Sequence, residues 1–318
     1  MNPLRVAVIG AGAFGRNHVR AIRELPEVEL AGVYDVDRSR AEALGPVVGS
    51  LDEVSTLADC AIVATPTITH ERVASQLIES GLDVLVEKPI AESSQAGDRL
   101  TRLAEERARI LQVGHLERFN PAVTALERAL TVPIFFEVHR LSVFSPRSLD
   151  VDVILDLMIH DLDIVLNFTR DLPNEVRAAG ISVLSSKVDI ANVRLSFASG
   201  CIANLTASRV STEKVRKLRV FQAGEYISLD YQRQDAVRLA VQPGAAAGEL
   251  PISYTPLPTT PGEPLKLELE AFFRCVRERS QPKVDGFAAS NALRVAEAIL
   301  AKIKEHTDLV AETVRRGR

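Results

Sequence analysis

The sequence predicts an α/β protein with two domains: an N-terminal parallel sheet covered by helices, and a C-terminal α+β domain built on a large, open, mainly antiparallel sheet. Short apolar runs alternate with helical segments through roughly the first 120 residues, which is typical of a parallel sheet. From Phe135 onward the strand-like runs are longer and alternate between apolar and polar residues. A glycine-rich turn, Gly10–Gly15, joins the first apolar run to the first helix.

The N-terminal domain is predicted to contain five strands and four helices. The strands are Arg5–Ile9, Glu29–Tyr34, Cys60–Ala64, Asp83–Val86 and Ile110–Val113. The helices are Gly15–Glu24, Ser39–Leu44, Thr69–Ser80 and Ser93–Arg107. Pro121 closes this portion, so we expect the domains to be 1–120 and 121–318.

The C-terminal domain is predicted to be rich in antiparallel strands. These are Ile134–Leu141, Val176–Val183, Asp189–Phe197, Cys201–Ser208, Lys217–Ala223 and Glu225–Asp230. Hairpin turns are expected at Ser199-Gly200 and at Ala223-Gly224-Glu225. The predicted helices are Val153–Phe168, Leu265–Arg279 and Ala288–His306, with Val241–Pro264 as an exposed excursion.

Composition excludes several classes of protein. With 46% hydrophobic and 25% charged residues the chain is ordinary globular protein, and a net charge of −4 leaves no basic footprint for nucleic acid or a membrane surface. The three widely spaced cysteines predict reduced thiols, with neither a disulfide framework nor a metal site. Without a signal peptide or an apolar run of about 20 residues, the protein is expected to be cytoplasmic and soluble.

The turn Gly10-Ala11-Gly12-Ala13-Phe14-Gly15 carries the pattern of a dinucleotide-binding, or Rossmann, domain. Gly10 allows the tight turn, Gly12 lets a pyrophosphate approach the backbone, and Gly15 lets the helix pack on the strand. Asp35 ends the second apolar run, twenty positions after Gly15, where a carboxylate accepts hydrogen bonds from the adenosine ribose and repels a 2′-phosphate. We therefore predict NAD as cofactor, although Arg38 is close enough in sequence to contact a phosphate.

Polar residues follow three neighbouring strands, at the sheet edge where ligands of such folds bind. The loops contribute Thr65, Pro66 and His70, then Glu87 and Lys88, then His115, Glu117, Arg118 and Asn120. We assign the first two loops to the cofactor and the third to substrate. A lysine desolvated in this cleft exchanges a proton with a substrate hydroxyl, so Lys88 is also a candidate catalytic and substrate-binding residue. Its alternative is an ordinary surface lysine.

A second constellation lies in the C-terminal half. Asp156 and His160 are four residues apart among apolar neighbours, so on a helix they share a face and the carboxylate can orient the imidazole. The alternative is a purely structural pair. Asp161 follows as a candidate substrate contact.

These motifs together resemble the Gfo/Idh/MocA oxidoreductase family over nearly the whole chain. The resemblance rests on the glycine turn, Ala64-Thr65-Pro66 with His70, Glu87-Lys88-Pro89, and Asp156 with His160. It implies an NAD-binding Rossmann domain and a C-terminal domain for substrate binding and oligomerisation. It also implies that Lys88 and His160 act on the substrate hydroxyl, with Asp156 assisting.

The segment from Gly114 to Pro121, with Met158-Ile159-His160-Asp161, is similar to the branch of that family that oxidises the 3-hydroxyl of UDP-N-acetylglucosamine. That branch implies amino-sugar biosynthesis and a partner aminotransferase. Arg118 and Asn120 can serve the sugar, and a basic cluster can meet the diphosphate; the alternatives for this cluster are a solvated sheet face or a subunit contact. The cluster comprises Arg209, Lys214, Arg216, Lys217 and Arg219. The alternatives are dehydrogenation of a free sugar or polyol, as in inositol dehydrogenase, an imine-like or linear tetrapyrrole substrate, and a non-catalytic NAD-sensing regulator. We expect a homodimer or homotetramer.

Overall fold

The computed structural model describes residues 3–145, 151–242 and 252–316. The strands in chain order are β1 Leu4–Ile9, β2 Val28–Tyr34, β3 Cys60–Val63, β4 Asp83–Glu87, β5 Leu111–Gly114, β6 Phe135–Val143, β7 Glu175–Ile181, β8 Ile190–Ser196, β9 Ile202–Ser211, β10 Val215–Gln222, β11 Glu225–Asp230, β12 Asp235–Val241 and β13 Ile252–Pro256. The α-helices are α1 Ala13–Arg23, α2 Arg38–Glu42, α3 Leu51–Leu57, α4 His70–Glu79, α5 Ser94–Glu106, α6 Pro121–Ala129, α7 Ile159–Thr169, α8 Pro264–Glu278 and α9 Gly286–Arg316.

The chain divides into two compact units. The first comprises Met1–Phe119 and Gly262–Leu293, and the second comprises Asn120–Pro261 and Arg294–Arg318. The break near residue 120 agrees with the expected boundary. The assignment of everything after it to the second domain is wrong for Gly262–Leu293, which returns to the first unit.

The first unit is built on the predicted parallel sheet, with strand order β2-β1-β3-β4-β5. Strands β3 and β4 are buried along their whole length, as the central strands of a sheet covered on both faces must be. The parallel register brings the carboxyl ends of β1, β3 and β4 to one edge. The loops expected to carry function begin at that edge.

Helix α8 explains the correction to the domain boundary. Its apolar side chains Leu269, Phe272 and Phe273 belong to the same buried core as Val6 and Ile62 of the parallel sheet. An amphipathic helix stabilises whichever core buries its apolar face, and the periodicity of a sequence does not identify that core. The short helix α3 was also absent from the prediction.

The second unit is an eight-stranded sheet of order β13-β12-β11-β10-β6-β9-β8-β7. All neighbouring strands are antiparallel except β6 and β9, which are parallel, so the predicted mainly antiparallel sheet is confirmed. Residues of α6, α7 and the later part of α9 pack with the strands in one core. The predicted hairpins are present, with Gly200 at φ +86° and Gly224 at φ +75°.

Three elements of the second unit differ from the prediction. Helix α6 and strand β12 were not predicted, and β13 lies inside the segment expected to be an irregular excursion. Part of that segment, 243–251, lies outside the described residues. Within the described chain, no helix combines the length and the apolar character needed to cross a bilayer.

Candidate active site

The three glycines of the first turn have different roles. Gly10 adopts φ +103°, and a Cβ there would lie 2.5 Å from the carbonyl oxygen of Ala64. A Cβ at Gly15 would lie 1.8 Å from the carbonyl oxygen of Gly10, so close packing excludes any side chain. A Cβ at Gly12 would meet no protein atom within 4 Å. Gly10 and Gly15 are therefore needed for close packing within the protein, whereas Gly12 faces open space of the kind a pyrophosphate needs.

Asp35 is held beside this turn at the end of β2. Its Oδ2 accepts a hydrogen bond from the Ala11 N–H at 2.7 Å, and its Oδ1 accepts one from the Asp37 N–H at 2.9 Å. Each carboxylate oxygen keeps acceptor capacity for a further donor. Arg38 is directed to Glu42, with Nε 2.9 Å from Oε1, on an exposed surface.

A cleft of about 520 Å³ lies along the glycine turn and the edge of the sheet. Its lining includes most of the residues predicted to bind the cofactor: Gly10, Gly12, Ala13, Phe14, Asp35, Thr65, Pro66, His70, Glu87 and Lys88. Arg38 is absent from the lining, and Arg40 takes part instead. Open room over Gly12, a fixed carboxylate at Asp35 and this cleft fit a dinucleotide with a free ribose diol.

His70 connects two loops of the cleft. It is 1% exposed, its Nε2 lies 2.8 Å from the carbonyl oxygen of Thr65, and its Nδ1 lies 2.8 Å from that of Pro89. Both ring nitrogens therefore contact the protein backbone. Its predicted place in the cofactor cleft agrees with the lining.

Glu87, the residue before the candidate catalytic lysine, points into the protein. Its Oε1 lies 2.8 Å from Nε2 of His18, and its Oε2 accepts the Lys88 N–H at 3.2 Å. Burial opposes ionisation of Glu87, but the hydrogen bond and charge of His18, with the charge of Lys88, hold its pKa below the ordinary value. A Cβ at Gly114 would lie 3.0 Å from Oε2, so the glycine makes room for this carboxylate.

A second acid, Glu268 of α8, lies in the same unit and is fully buried. Neither of its carboxyl oxygens has a hydrogen-bond partner among the described residues. Burial first, and then the charge of Glu87, raise the pKa of Glu268 well above its usual range. Sequence analysis missed both His18 and Glu268, because no local pattern marks either residue.

The third loop, which begins after β5, is largely buried. His115, Glu117 and Arg118 are all at most 4% exposed. Arg118 Nη2 donates to the carbonyl oxygen of Lys283 at 3.4 Å. Asn120, in the second unit, caps α6 by accepting from the Ala122 N–H at 3.1 Å.

Asn120 also donates through Nδ2 to the carbonyl oxygen of Tyr231 at 3.0 Å. The structure thus gives its amide a structural role. Its predicted contact with substrate stays a prediction, as do those of His115, Glu117 and Arg118.

In the second unit, the predicted helix around the Asp–His pair is a composite. Ile154–Met158, which contains Asp156, forms a π-helical turn, and α7 continues from it with His160 in its first turn. Both residues are partly exposed, whereas Met158 and Ile159 between them are buried. The pair therefore lies on the accessible side of an otherwise apolar segment.

Asp161 forms a buried ion pair that sequence analysis missed. Arg140 of β6 donates through Nε to Oδ2 at 2.7 Å and through Nη2 to Oδ1 at 2.8 Å. The Arg140 guanidinium also lies 4.9 Å from the ring centroid of Tyr231. This bidentate pair ties β6 to the turn that carries His160. It engages both oxygens of Asp161, whose predicted substrate contact remains untested.

The predicted basic cluster does not form one uniform surface. Arg209 is 5% exposed, lies 3.7 Å from Asp189 and donates to the carbonyl oxygen of Val151. Arg219 is partly exposed and pairs with Glu137 at 3.0 Å. Arg209 thus supports the segment before the π-helical turn.

Comparisons with known proteins agree with this fold. Residues 4–115 match a family model described as an oxidoreductase family with an NAD-binding Rossmann fold, and 136–224 match the GFO/IDH/MocA C-terminal domain. UDP-N-acetylglucosamine 3-dehydrogenase of Acidithiobacillus ferrooxidans is 33% identical over 299 residues, covering 92% of this chain and 95% of that protein. A solved structure of that dehydrogenase has a TM-score of 0.90 at 32% identity, covering 96% of this chain and 99% of the other.

Inositol 2-dehydrogenase of Rhizobium meliloti is a further relative, 24% identical over 95% of this chain and 97% of its own length. The two family models together span more than half of the chain, and the full-length relative exceeds 30% identity. The chain therefore belongs to the Gfo/Idh/MocA family and is an NAD-dependent oxidoreductase.

Proposed function

We propose that this enzyme oxidises the 3-hydroxyl of UDP-N-acetylglucosamine to a ketone. The observation that carries the proposal is the full-length likeness, in sequence and in fold, to a dehydrogenase named for that substrate. The cleft at Gly12, Asp35 and Lys88 supports the NAD half of the reaction. In the overall reaction one C–H bond and one O–H bond break and a C=O bond forms.

NAD is held by residues of the first unit. The N-terminal end of α1 and the backbone at Gly12 receive the pyrophosphate, and Asp35 accepts hydrogen bonds from the adenosine ribose. Bound NAD would supply the hydride acceptor for the substrate carbon. Asp35 beside the turn disfavours a 2′-phosphate, which supports NAD over NADP.

The hydroxyl proton passes to Lys88 or His160, with Asp156 orienting the imidazole. Lys88 follows β4, and its N–H is fixed by the buried Glu87 carboxylate, so its backbone is well anchored at the cleft. His160 is partly exposed in the first turn of α7, next to the Arg140–Asp161 ion pair. A proton acceptor must lie within hydrogen-bond reach of the alcohol in the bound complex.

Oxidation of a free polyol is the second candidate, because inositol 2-dehydrogenases are among the full-length relatives. One panel distinguishes the candidates. Purified enzyme with NAD is offered UDP-N-acetylglucosamine, UDP-glucose, N-acetylglucosamine and myo-inositol, and NADH formation is followed. The proposal predicts kcat/KM highest for UDP-N-acetylglucosamine.

Oxidation of myo-inositol alone would support the second candidate. NAD binding without turnover on any compound would support a regulator. Lys88→Met serves as the matched control, since it keeps the aliphatic stem and removes the amine. NADH that this variant forms at the parental rate does not come from the proposed reaction, because that reaction needs the Lys88 amine.

We further propose that the enzyme is a cytoplasmic homo-oligomer and that an aminotransferase consumes its keto product. The three free cysteines are buried, which fits a reducing compartment. Half-buried Phe135, Phe221 and Tyr226 form an aromatic group on the large sheet, with centroid distances of 5.8 Å and 5.0 Å. Such a group favours association of sheets. Light scattering on the parent and on Tyr226→Glu tests this, with a smaller mass expected for the variant.

A further inference from the structure

Both ring nitrogens of His70 face hydrogen-bond acceptors, whereas a neutral imidazole has only one N–H to donate. Both ring nitrogens lie 2.8 Å from backbone carbonyl oxygens, Nε2 from Thr65 and Nδ1 from Pro89. A carbonyl oxygen only accepts, so both nitrogens must donate, and only the doubly protonated ring has two N–H groups. Both bonds can therefore exist together only while the ring is an imidazolium.

The two carbonyls belong to loops with different tasks. The Thr65 loop packs on the glycine turn: a Cβ at Gly10 would lie 2.5 Å from the carbonyl oxygen of Ala64 and 3.0 Å from the Thr65 nitrogen. Pro89 directly follows Lys88, which lines the same cleft. One ring thus connects the wall of the cofactor cleft to the candidate catalytic lysine.

We propose that His70 is a positioning residue that holds the cofactor loop through Nε2 and Lys88 through Nδ1. This inference rests on the proposed role of Lys88. It assigns separate consequences to the two bonds. Loss of the Thr65 bond weakens NAD binding, and loss of the Pro89 bond slows turnover.

Protonation sets how many of these bonds exist at once. Burial is the largest influence and holds the pKa of His70 below its ordinary value, although the bonds to Pro89 and Thr65 and the charge of Glu87 act in the opposite direction. Glu87 and Lys88 are the charged residues on the neighbouring strand end, and Glu87 is in turn bonded to His18. Below the folded-state pKa both bonds form, and above it the ring has one proton and gives up one bond.

Two isosteric substitutions separate the bonds. The amide nitrogen of asparagine occupies the place of Nδ1, and that of glutamine occupies the place of Nε2. His70→Asn therefore keeps the Pro89 bond, and His70→Gln keeps the Thr65 bond. At a pH below the folded-state pKa of His70, we expect His70→Asn to raise the Kd for NAD about tenfold with kcat nearly unchanged, since one buried hydrogen bond corresponds to roughly that factor.

We expect His70→Gln to show the reverse, with kcat lowered about tenfold and NAD affinity retained. As the pH rises, the parent should approach the behaviour of one of the two variants, because amides do not titrate in this range. His306→Asn and His306→Gln, at a partly exposed position in the last turns of α9, are the matched controls and should change neither quantity. Equal losses in both His70 variants, or none in either, would overturn the proposal.

Thermal unfolding of each variant separates a folding defect from a local one. Histidine-selective ¹⁵N NMR of the parent gives an answer independent of any variant, because the chain has only six histidines. Below the folded-state pKa of His70, two slowly exchanging ring N–H groups are expected on this residue, and rapid exchange of both would contradict the two hydrogen bonds. The NAD titration and the NMR experiment need no sugar substrate. An error in the proposed substrate is therefore distinguishable from an error in this inference.

Discussion

Glu268→Gln is expected to stabilise the protein increasingly as the pH rises. Glu268 is fully buried, its oxygens find no hydrogen-bond partner among the described residues, and the ionised Glu87 acts on it. These conditions keep the carboxyl protonated in the folded protein at pH values where the unfolded chain has lost the proton. Glutamine has nearly the same shape and never ionises.

The magnitude follows from proton linkage. Between the unfolded pKa of a glutamate, about 4.5, and the raised folded pKa, the folded state binds one more proton than the unfolded state. Stability of the parent then falls by about 1.4 kcal/mol for each pH unit from this one group. Every other titrating group is common to both proteins, so the variant should gain about 1.4 kcal/mol on the parent between pH 5.5 and pH 6.5.

Urea unfolding of the parent and Glu268→Gln at these two pH values measures the difference. Glu270→Gln, an exposed residue on the same helix, is the control and should give a difference that does not change with pH. A pH-independent difference for Glu268→Gln as well would refute the reasoning, because it would show that Glu268 is ionised in the folded protein.

Two further predictions concern the glycine turn and an acid in the second unit. Gly12→Ala should fold with an unchanged Tm but bind NAD at least tenfold more weakly, since its Cβ meets no protein atom within 4 Å and intrudes only on the ligand. Gly15→Ala, in contrast, should lower Tm strongly. Calorimetry and NAD titration distinguish the two variants, and equal Tm losses would contradict the roles assigned to these glycines. Asp189 has a pKa of about 2 because backbone and side-chain donors at residues 183–185 outweigh its burial. Its depressed pKa contributes stability that is present above about pH 4 and lost as the pH falls toward 2, so Asp189→Asn should cost about 2 kcal/mol at neutral pH and almost nothing near pH 2. A loss that persists unchanged at acid pH would disprove that origin.

Local patterns were sufficient for the features that depend on neighbouring residues. The apolar runs gave the parallel strands, and the glycine spacing with Asp35 located the cleft that the structure shows. Glu87 and Lys88 were predicted at its edge because parallel strands end together. Arg38 was predicted to bind the cofactor; in the structure it pairs with Glu42 on an exposed surface and does not line the cleft, so that role stays a prediction.

Features that depend on distant partners were not predictable. His18 and Glu87 are 69 residues apart in sequence, and Arg140 and Asp161 are 21 apart, although each pair is buried and in direct contact. In neither pair does the sequence around one residue indicate which residue is its partner. Glu268 is similar, since a carboxylate in an amphipathic helix is ordinarily expected at its solvent face.

Asp161 and Asn120 show a second limit of prediction from sequence. Both are candidate substrate contacts, and the structure pairs Asp161 with Arg140 and lets Asn120 cap α6, so their contact with substrate stays a prediction. Buried polar groups are usually satisfied within the protein, and a sequence does not separate this use from ligand binding.

Turnover of Lys88→Ala on UDP-N-acetylglucosamine, measured with enzyme saturated in NAD, tests the central claim most directly. We predict near-parental NAD affinity, because the pyrophosphate and ribose contacts lie elsewhere, and a fall in kcat of about 10²-fold or more, because proton transfer and positioning each contribute on that order. An unchanged kcat in this variant would contradict the assignment of the lysine to the reaction.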